Sequence, residues 1–300
     1  MGRKKEMQRA FGGYHPLVNF IFYIAAIGLG MFLIHPAFVA LSAVLSVVYY
    51  LLLNRGRGWG FIIAMIGFAA AVAFINPIFN IKGVTVLFRL FGRNYTLEAL
   101  YYGLALGAMF FSIMMWFSCY NKMMTSDKFI YLFGRLIPAL SLLLSMVLRL
   151  VPMFTKRIRT AGGVRECIGK SARRGVLSDK LKNSMDVLSV MMSWSLEGAV
   201  TTGDSMRSRG YGSGRRTNFL KYRFTVRDYT VLVLLIVFLA GMIALMAMGV
   251  AEVSYIPAVE IRGIDAKTII ALVCYGGILS IPTGIHVWEE ISWQISRSKI

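Results

Sequence analysis

Acidic side chains are scarce in this chain of 300 residues, where 14 Asp and Glu face 33 Lys and Arg. Charge of either sign is scarce too, at 16%, against about a quarter in a soluble globule. Histidine occurs three times, and His15, His35 and His286 show no metal-ligand spacing. The cysteines Cys119, Cys167 and Cys274 lie far apart, with no even set and no Cys-x-x-Cys. That excludes a disulfide framework or a zinc knuckle and leaves them as reduced packing residues. What replaces the missing polarity is apolar surface, with 57% hydrophobic residues and a mean hydropathy of +0.64. Disordered proteins and most soluble enzymes are excluded. A chain both apolar and basic, at net +19, reads as a membrane protein with its basic residues on one side.

A bilayer-spanning helix needs about 20 mostly apolar residues. The run from Leu17 to Leu53, broken at His35-Pro36, is too long for one span and right for two joined by a tight turn. Gly60 to Asn80, Glu98 to Tyr120, Asp228 to Val250 and Lys267 to Trp288 give four more. The first run follows Arg3, Lys4 and Lys5 as a signal peptide would. It is longer than a usual signal core, lacks a small-residue cleavage site and runs on into another span, so it reads as an uncleaved helix. With six spans, alternate sides carry 28 and 5 Lys and Arg, or 8 and 5 when only short loops count. The basic side is expected to be cytoplasmic. That predicts a multi-pass cell-membrane protein with both termini inside.

The expected organisation is an N-terminal bundle of four spans (1–118), a cytoplasmic region (119–228), and a C-terminal pair of spans with a tail (229–300). The middle region holds 20 basic and 7 acidic residues, a net charge of +13. It is not a polar tail. Leu181, Met185, Leu188, Met192, Leu196, Ala199, Gly203 and Met206 recur in steps of four and three, one apolar stripe on a helix over Asp179–Arg207. Ser178 or Asp179 can cap its start, and Gly210 and Gly212 can end it. A second helix is expected from about Pro152 to Arg174, with Lys156, Arg157, Arg159 and Arg165 giving it a basic surface and Gly175 a stop. The apolar stretch Phe129–Val151, punctuated by Arg135, Pro138 and Arg149, is expected at or near the membrane surface; a seventh span would put the C-terminus outside. Each long helix then ends in an Arg-Gly pair, Arg174-Gly175 and Arg209-Gly210. A basic residue in the last turn suits the helix dipole, and ordinary C-capping accounts for either pair alone.

Two stretches mimic nucleotide motifs and fail. Gly162 to Ser171 ends in Gly-Lys-Ser, but Val164 stands where the phosphate-binding loop needs its first glycine, and no strand precedes it. Gly210-x-Gly212-x-Gly214 lacks the dinucleotide spacing. Glu289-Glu290 follows the last span and reads as interfacial, and no charge lies well inside the apolar cores of the spans. That leaves no proton relay or ion site and speaks against a stand-alone transporter or an intramembrane enzyme.

At three places the sequence resembles the transmembrane T component of energy-coupling factor (ECF) importers, the EcfT/CbiQ family. That family carries Ala-Arg-Gly signatures at the ends of two cytoplasmic coupling helices. Here the first reads Ala172-Arg173-Arg174-Gly175, with Arg174 favoured over Arg173 for the family role. The second reads Ser208-Arg209-Gly210, with serine in place of alanine. Leu148-Arg149-Leu150-Val151-Pro152 is similar to the stretch leading into the first coupling helix. The likeness covers most of the chain in layout and is specific over roughly 148–217.

The resemblance implies an all-α membrane scaffold without catalysis, cofactor or metal. Its partners would be two ABC-type ATPases, a substrate-binding S component and the bilayer, with no nucleic acid. ATP-driven closing of the ATPases would move the coupling helices, topple the substrate subunit and release a vitamin or transition-metal ion inside. Arg174 and Arg209 would seat in acidic ATPase grooves, since arginine presents a fixed fork of donors to carboxylates. Arg149, Pro152, Ala172 and Arg173 would support the coupling region. Met185, Leu188, Met192 and Leu196 would meet the substrate subunit, methionine being adaptable against a moving partner; ordinary helix packing is the plainer reading of that stripe. A conventional ABC permease forming its own path is the alternative, but it would use one coupling loop per subunit. Binding of nucleic acid or anionic lipid by the basic region is a further reading, and positive-inside topology accounts for most of that charge without it.

Overall fold

The computed structural model describes residues 11–79, 86–90, 93–134, 138–170, 177–214, 222–250, 253–254, 260–261 and 265–298. A 3-10 turn, Phe11–Gly13, precedes α1 (Pro16–Phe32), α2 (Pro36–Asn54) and α3 (Trp59–Phe79). A hairpin of β1 (Val86–Leu90) and β2 (Arg93–Thr96) leads into α4 (Leu97–Met123) and the short α5 (Ser126–Gly134). Then come α6 (Pro138–Cys167), α7 (Leu177–Ser208) and α8 (Val226–Ala247). A second small hairpin, β3 (Val253–Ser254) and β4 (Glu260–Ile261), precedes α9 (Ala266–Ser298). The chain divides into two units, Met1–Lys128 with Tyr222–Ile300, and Phe129–Lys221.

The protein is an all-α membrane protein apart from the two hairpins, which the apolar periodicity did not foretell. α2, α3, α4, α8 and α9 are long and apolar enough to cross a membrane. α1 is as apolar but has 17 residues. The expected break at His35-Pro36 is there, and it uses the same device as the start of α1. In both, Pro stands at the first helical position, and the preceding histidine caps the helix. Leu17 N–H donates to His15 Nδ1 at 3.2 Å and Ala37 N–H to His35 Nδ1 at 3.3 Å. The missing N–H of proline costs nothing in the first turn, where no intrahelical acceptor waits for it.

In the first unit α4 is the hub, packing against α1, α2 and α3, while α9 packs against α8, α2 and α1. In a lipid setting helices gain little from hiding apolar surface from one another, so close backbone approach decides which ones pair. The glycines of α4 supply it. A Cβ at Gly103 would lie 2.7 Å from the Ala73 carbonyl oxygen, and one at Gly107 would lie 2.5 Å from that of Ala69. Two small residues four apart on α4 thus face two alanines four apart on α3.

Further along α4 the packing turns aromatic. Trp116 is fully enclosed beside Phe22 of α1 and Tyr49 of α2, with ring centroids 5.7 and 6.0 Å away. Its indole N–H donates to Ser42 Oγ at 3.2 Å, a partner a buried indole requires. At the end of α4, Lys122 donates to Asn54 and lies 4.8 Å from the Tyr50 ring centroid, tying α4 to the end of α2.

The α3–α4 contact is tested by Gly107→Ala. The added methyl has no room against backbone, so overpacking should cost about 1–3 kcal/mol. Detergent-solubilised Gly107→Ala should melt below the parent, whereas Gly67→Ala, whose Cβ would meet nothing within 4 Å, should not. Equal melting of both variants would refute the close contact.

Candidate functional site: the basic helical pair

The second unit holds the residues singled out by sequence. α6 begins at Pro138 rather than near Pro152, and it ends at Cys167 rather than at Arg174. Its apolar first half and its basic second half are one helix of 30 residues. The stop is Gly169, at φ +79°. Gly169 N–H donates to Glu166 O at 3.1 Å and Lys170 N–H to Arg165 O at 2.9 Å, the paired bonds of a Schellman cap. Ala172, Arg173, Arg174 and Gly175 lie outside the described residues, in the connection between α6 and α7.

α7 matches its expected extent to within two residues and ends the same way. Gly210 takes φ +74°, its N–H donating to Arg207 O at 3.0 Å, and Tyr211 N–H donates to Met206 O at 3.0 Å. Ser208 is the last helical residue, and its hydroxyl donates to Ser205 O at 2.9 Å. Arg209 is therefore the half-turn residue at the helix tip, exposed beside the last free carbonyls. There its charge meets the negative end of the dipole. The cap gives the Arg-Gly order a physical reason. Glycine tolerates the left-handed turn that stops the helix, and the residue before it is left at the tip.

Two side-chain pairs pin α6 to α7. Arg165 forms an ion pair with Asp186, and the Arg157 guanidinium lies 4.5 Å from the Trp194 ring centroid. Both pairs are symmetric in sequence about positions 175 and 176, so the helices run antiparallel with one register. Val187 and Met191, between the pins, are the buried residues of α7. Nothing in the sequence pattern marked these pairs. Arg157 and Arg165 read only as basic surface, because the register that gives them partners appears once two helices are laid together.

The apolar stripe is on another side. At about 100° per residue, it centres about 115° around α7 from Val187 and Met191. Leu181, Met185, Leu188, Met192 and Leu196 are between 54% and 71% exposed, so α6 does not cover them. Arg149 and Pro152 are also exposed, midway along α6, among exposed Leu148, Leu150 and Val151. Pro152 has no N–H for the Leu148 carbonyl. Among the described residues no group of three or more His, Cys, Asp and Glu is placed to hold a metal.

Arg165→Ala should free the α7 backbone around Asp186. Half-exposed ion pairs contribute at most about 1 kcal/mol, so the expected change is faster hydrogen exchange over about 183–190 with α7 still helical. Unchanged exchange there would mean that the pair does not hold the two helices together.

No protein-family model matches this chain, and no curated protein matches it.

Proposed function

We propose that the protein is the membrane scaffold of an ATP-driven importer of the ECF type, coupling two cytoplasmic ATPases to a substrate-binding membrane subunit. The observation that carries this reading is the form of α7. It is a 32-residue helix with an arginine fixed at its tip by a glycine cap and an uncovered Leu/Met stripe along one side. A helix that served only this chain would bury its stripe. One that serves a partner leaves it open, and an apolar strip beside a charged tip suits two partners of different chemistry.

In this reading six helices span the membrane, with α1 counted among them, both termini are cytoplasmic, and Phe129–Lys221 lies on the cytoplasmic side. Arg209 and Arg174 each enter an acidic groove of one ATPase. The guanidinium fork matches carboxylate geometry, and charge-assisted bonds of this kind are stronger than neutral ones. Met185, Leu188, Met192 and Leu196 carry the substrate subunit. Unbranched methionine side chains re-pack at low cost when the helix beneath them shifts. The cargo is a vitamin or a transition-metal ion, chosen by the substrate subunit.

Two experiments separate the roles. In detergent, the wild-type chain should co-purify with its ATPases and an Arg174→Ala/Arg209→Ala double variant should lose them. A chain that purifies alone in both forms, with ATPases present, would refute the scaffold reading. A Leu188→Asp/Met192→Asp variant should keep the ATPases and lose the substrate subunit. Retention of both partners would move the stripe out of the interface.

A further inference from the structure

The Phe129–Lys221 unit leaves and rejoins the rest of the chain at two roots, Lys128 and Tyr222. Both roots are fastened to one short segment near the N-terminus. Lys128, on the first turn of α5, is 7% exposed, and its ammonium donates to the Gly12 carbonyl and, at 3.2 Å, to the Met123 carbonyl. One buried cation thereby joins the 3-10 turn, the end of α4 and the start of α5. Burial pushes the Lys128 pKa down, so those carbonyls are what compensates a charge held out of water. Gly12 sits close enough that a Cβ there would come within 3.3 Å of Met123 Sδ.

The second root is fastened three residues further on. Asp228, at 3% exposure, accepts from His15 N–H at 2.9 Å through Oδ1. Its Oδ2 accepts from the N–H and hydroxyl of Thr225 at 2.8 and 2.7 Å, completing a capping box at the start of α8. The His15 ring stacks on Phe224 at 3.8 Å between centroids, with Tyr222 edge-on at 6.3 Å. Below both fastenings Phe11 is fully buried against Phe22 of α1. Gly12 and His15 can be at most about 11 Å apart along the chain, so the two roots are tied to a common point.

We propose that Phe11–His15 is a clasp that fixes the two roots of the Phe129–Lys221 unit against each other, with Lys128 and Asp228 as its positioning residues. Resting on the function proposed above, the clasp makes the unit push on α1, α4 and α8 together. Without it, ATP-driven movement dissipates as one root sliding past the other.

The test has two arms. In the isolated chain, spin labels are placed at Asp127→Cys and Val226→Cys, both exposed, in a Cys167→Ser/Cys274→Ser background where only buried Cys119 remains. The parent should give one narrow distance distribution. Lys128→Met, and separately Asp228→Asn, which keeps one acceptor oxygen where two are used, should broaden it. Unchanged widths overturn the clasp whatever the partners are. In vesicles holding the complex with its ATPases and substrate subunit, Lys128→Met should keep ATP turnover while uptake per ATP falls. Uptake and turnover falling in proportion would overturn the positioning role. A parent chain that recruits no ATPase removes the scaffold reading, and the distance arm still decides the clasp.

Discussion

The first unit depends on how closely α4 can approach its neighbours. A central helix in an apolar setting needs somewhere to put its neighbours' backbones, because no expulsion of water drives them together. Gly103 and Gly107 create that place against the carbonyls of Ala73 and Ala69. With α3 seated so tightly, the rest of α4 is free to carry bulk. Trp116 fills the space toward α1 and α2, beside Phe22 and Tyr49, and Met115 and Phe111 join the same buried core. The order of side-chain sizes along one helix thus sets the order of its partners. Gly103 and Gly107 meet α3, and Trp116 meets the two helices that arrive first in the chain.

The two units are held by different forces. The first is bound by interlocking side chains and by polar groups that are buried and satisfied, such as the Trp116–Ser42 bond and the carboxylate of Asp228. Breaking one partner of such a bond leaves the other stranded without water. Among the described residues of the second unit, α6 and α7 meet through a half-exposed ion pair, a cation–π contact and a narrow strip around Val187 and Met191. Contacts of that kind are individually weak.

Much of this was legible in the sequence. Span positions follow from hydropathy alone, since twenty apolar residues in a row admit few alternatives. The stripe on α7 follows from its periodicity, and its helix ends from Gly210. The extent of α6 was not legible, because Gly162-Gly163 and Pro152 advertise breaks that a long helix tolerates, while Gly169, the actual stop, competes with Gly175 further on as an equally good one. The roles of Lys128, His15 and Asp228 were hidden for another reason. Each is an ordinary polar residue at the border of an apolar helix, and the contacts that fasten it to the rest of the unit, Lys128 to Gly12 and Asp228 to His15, join residues more than a hundred positions apart. Periodicity could show that α7 has an apolar face but not whether α6 would cover it. That needed the register set by Arg157, Arg165, Asp186 and Trp194.

That register leaves two unequal arms. Beyond the Arg157–Trp194 pair, α7 continues for about 21 Å to Ser208, and α6 extends about 28 Å back to Pro138, at 1.5 Å per residue. Between the two pins the helices share only about 12 Å. The arrangement is a lever with a short fulcrum and long handles. A change of about 10° in the angle at the pins sweeps the far ends through roughly 4–5 Å, close to one helical turn of rise. A modest rearrangement at a half-exposed ion pair therefore displaces the Arg209 end of α7 by about 4 Å, with neither helix having to bend.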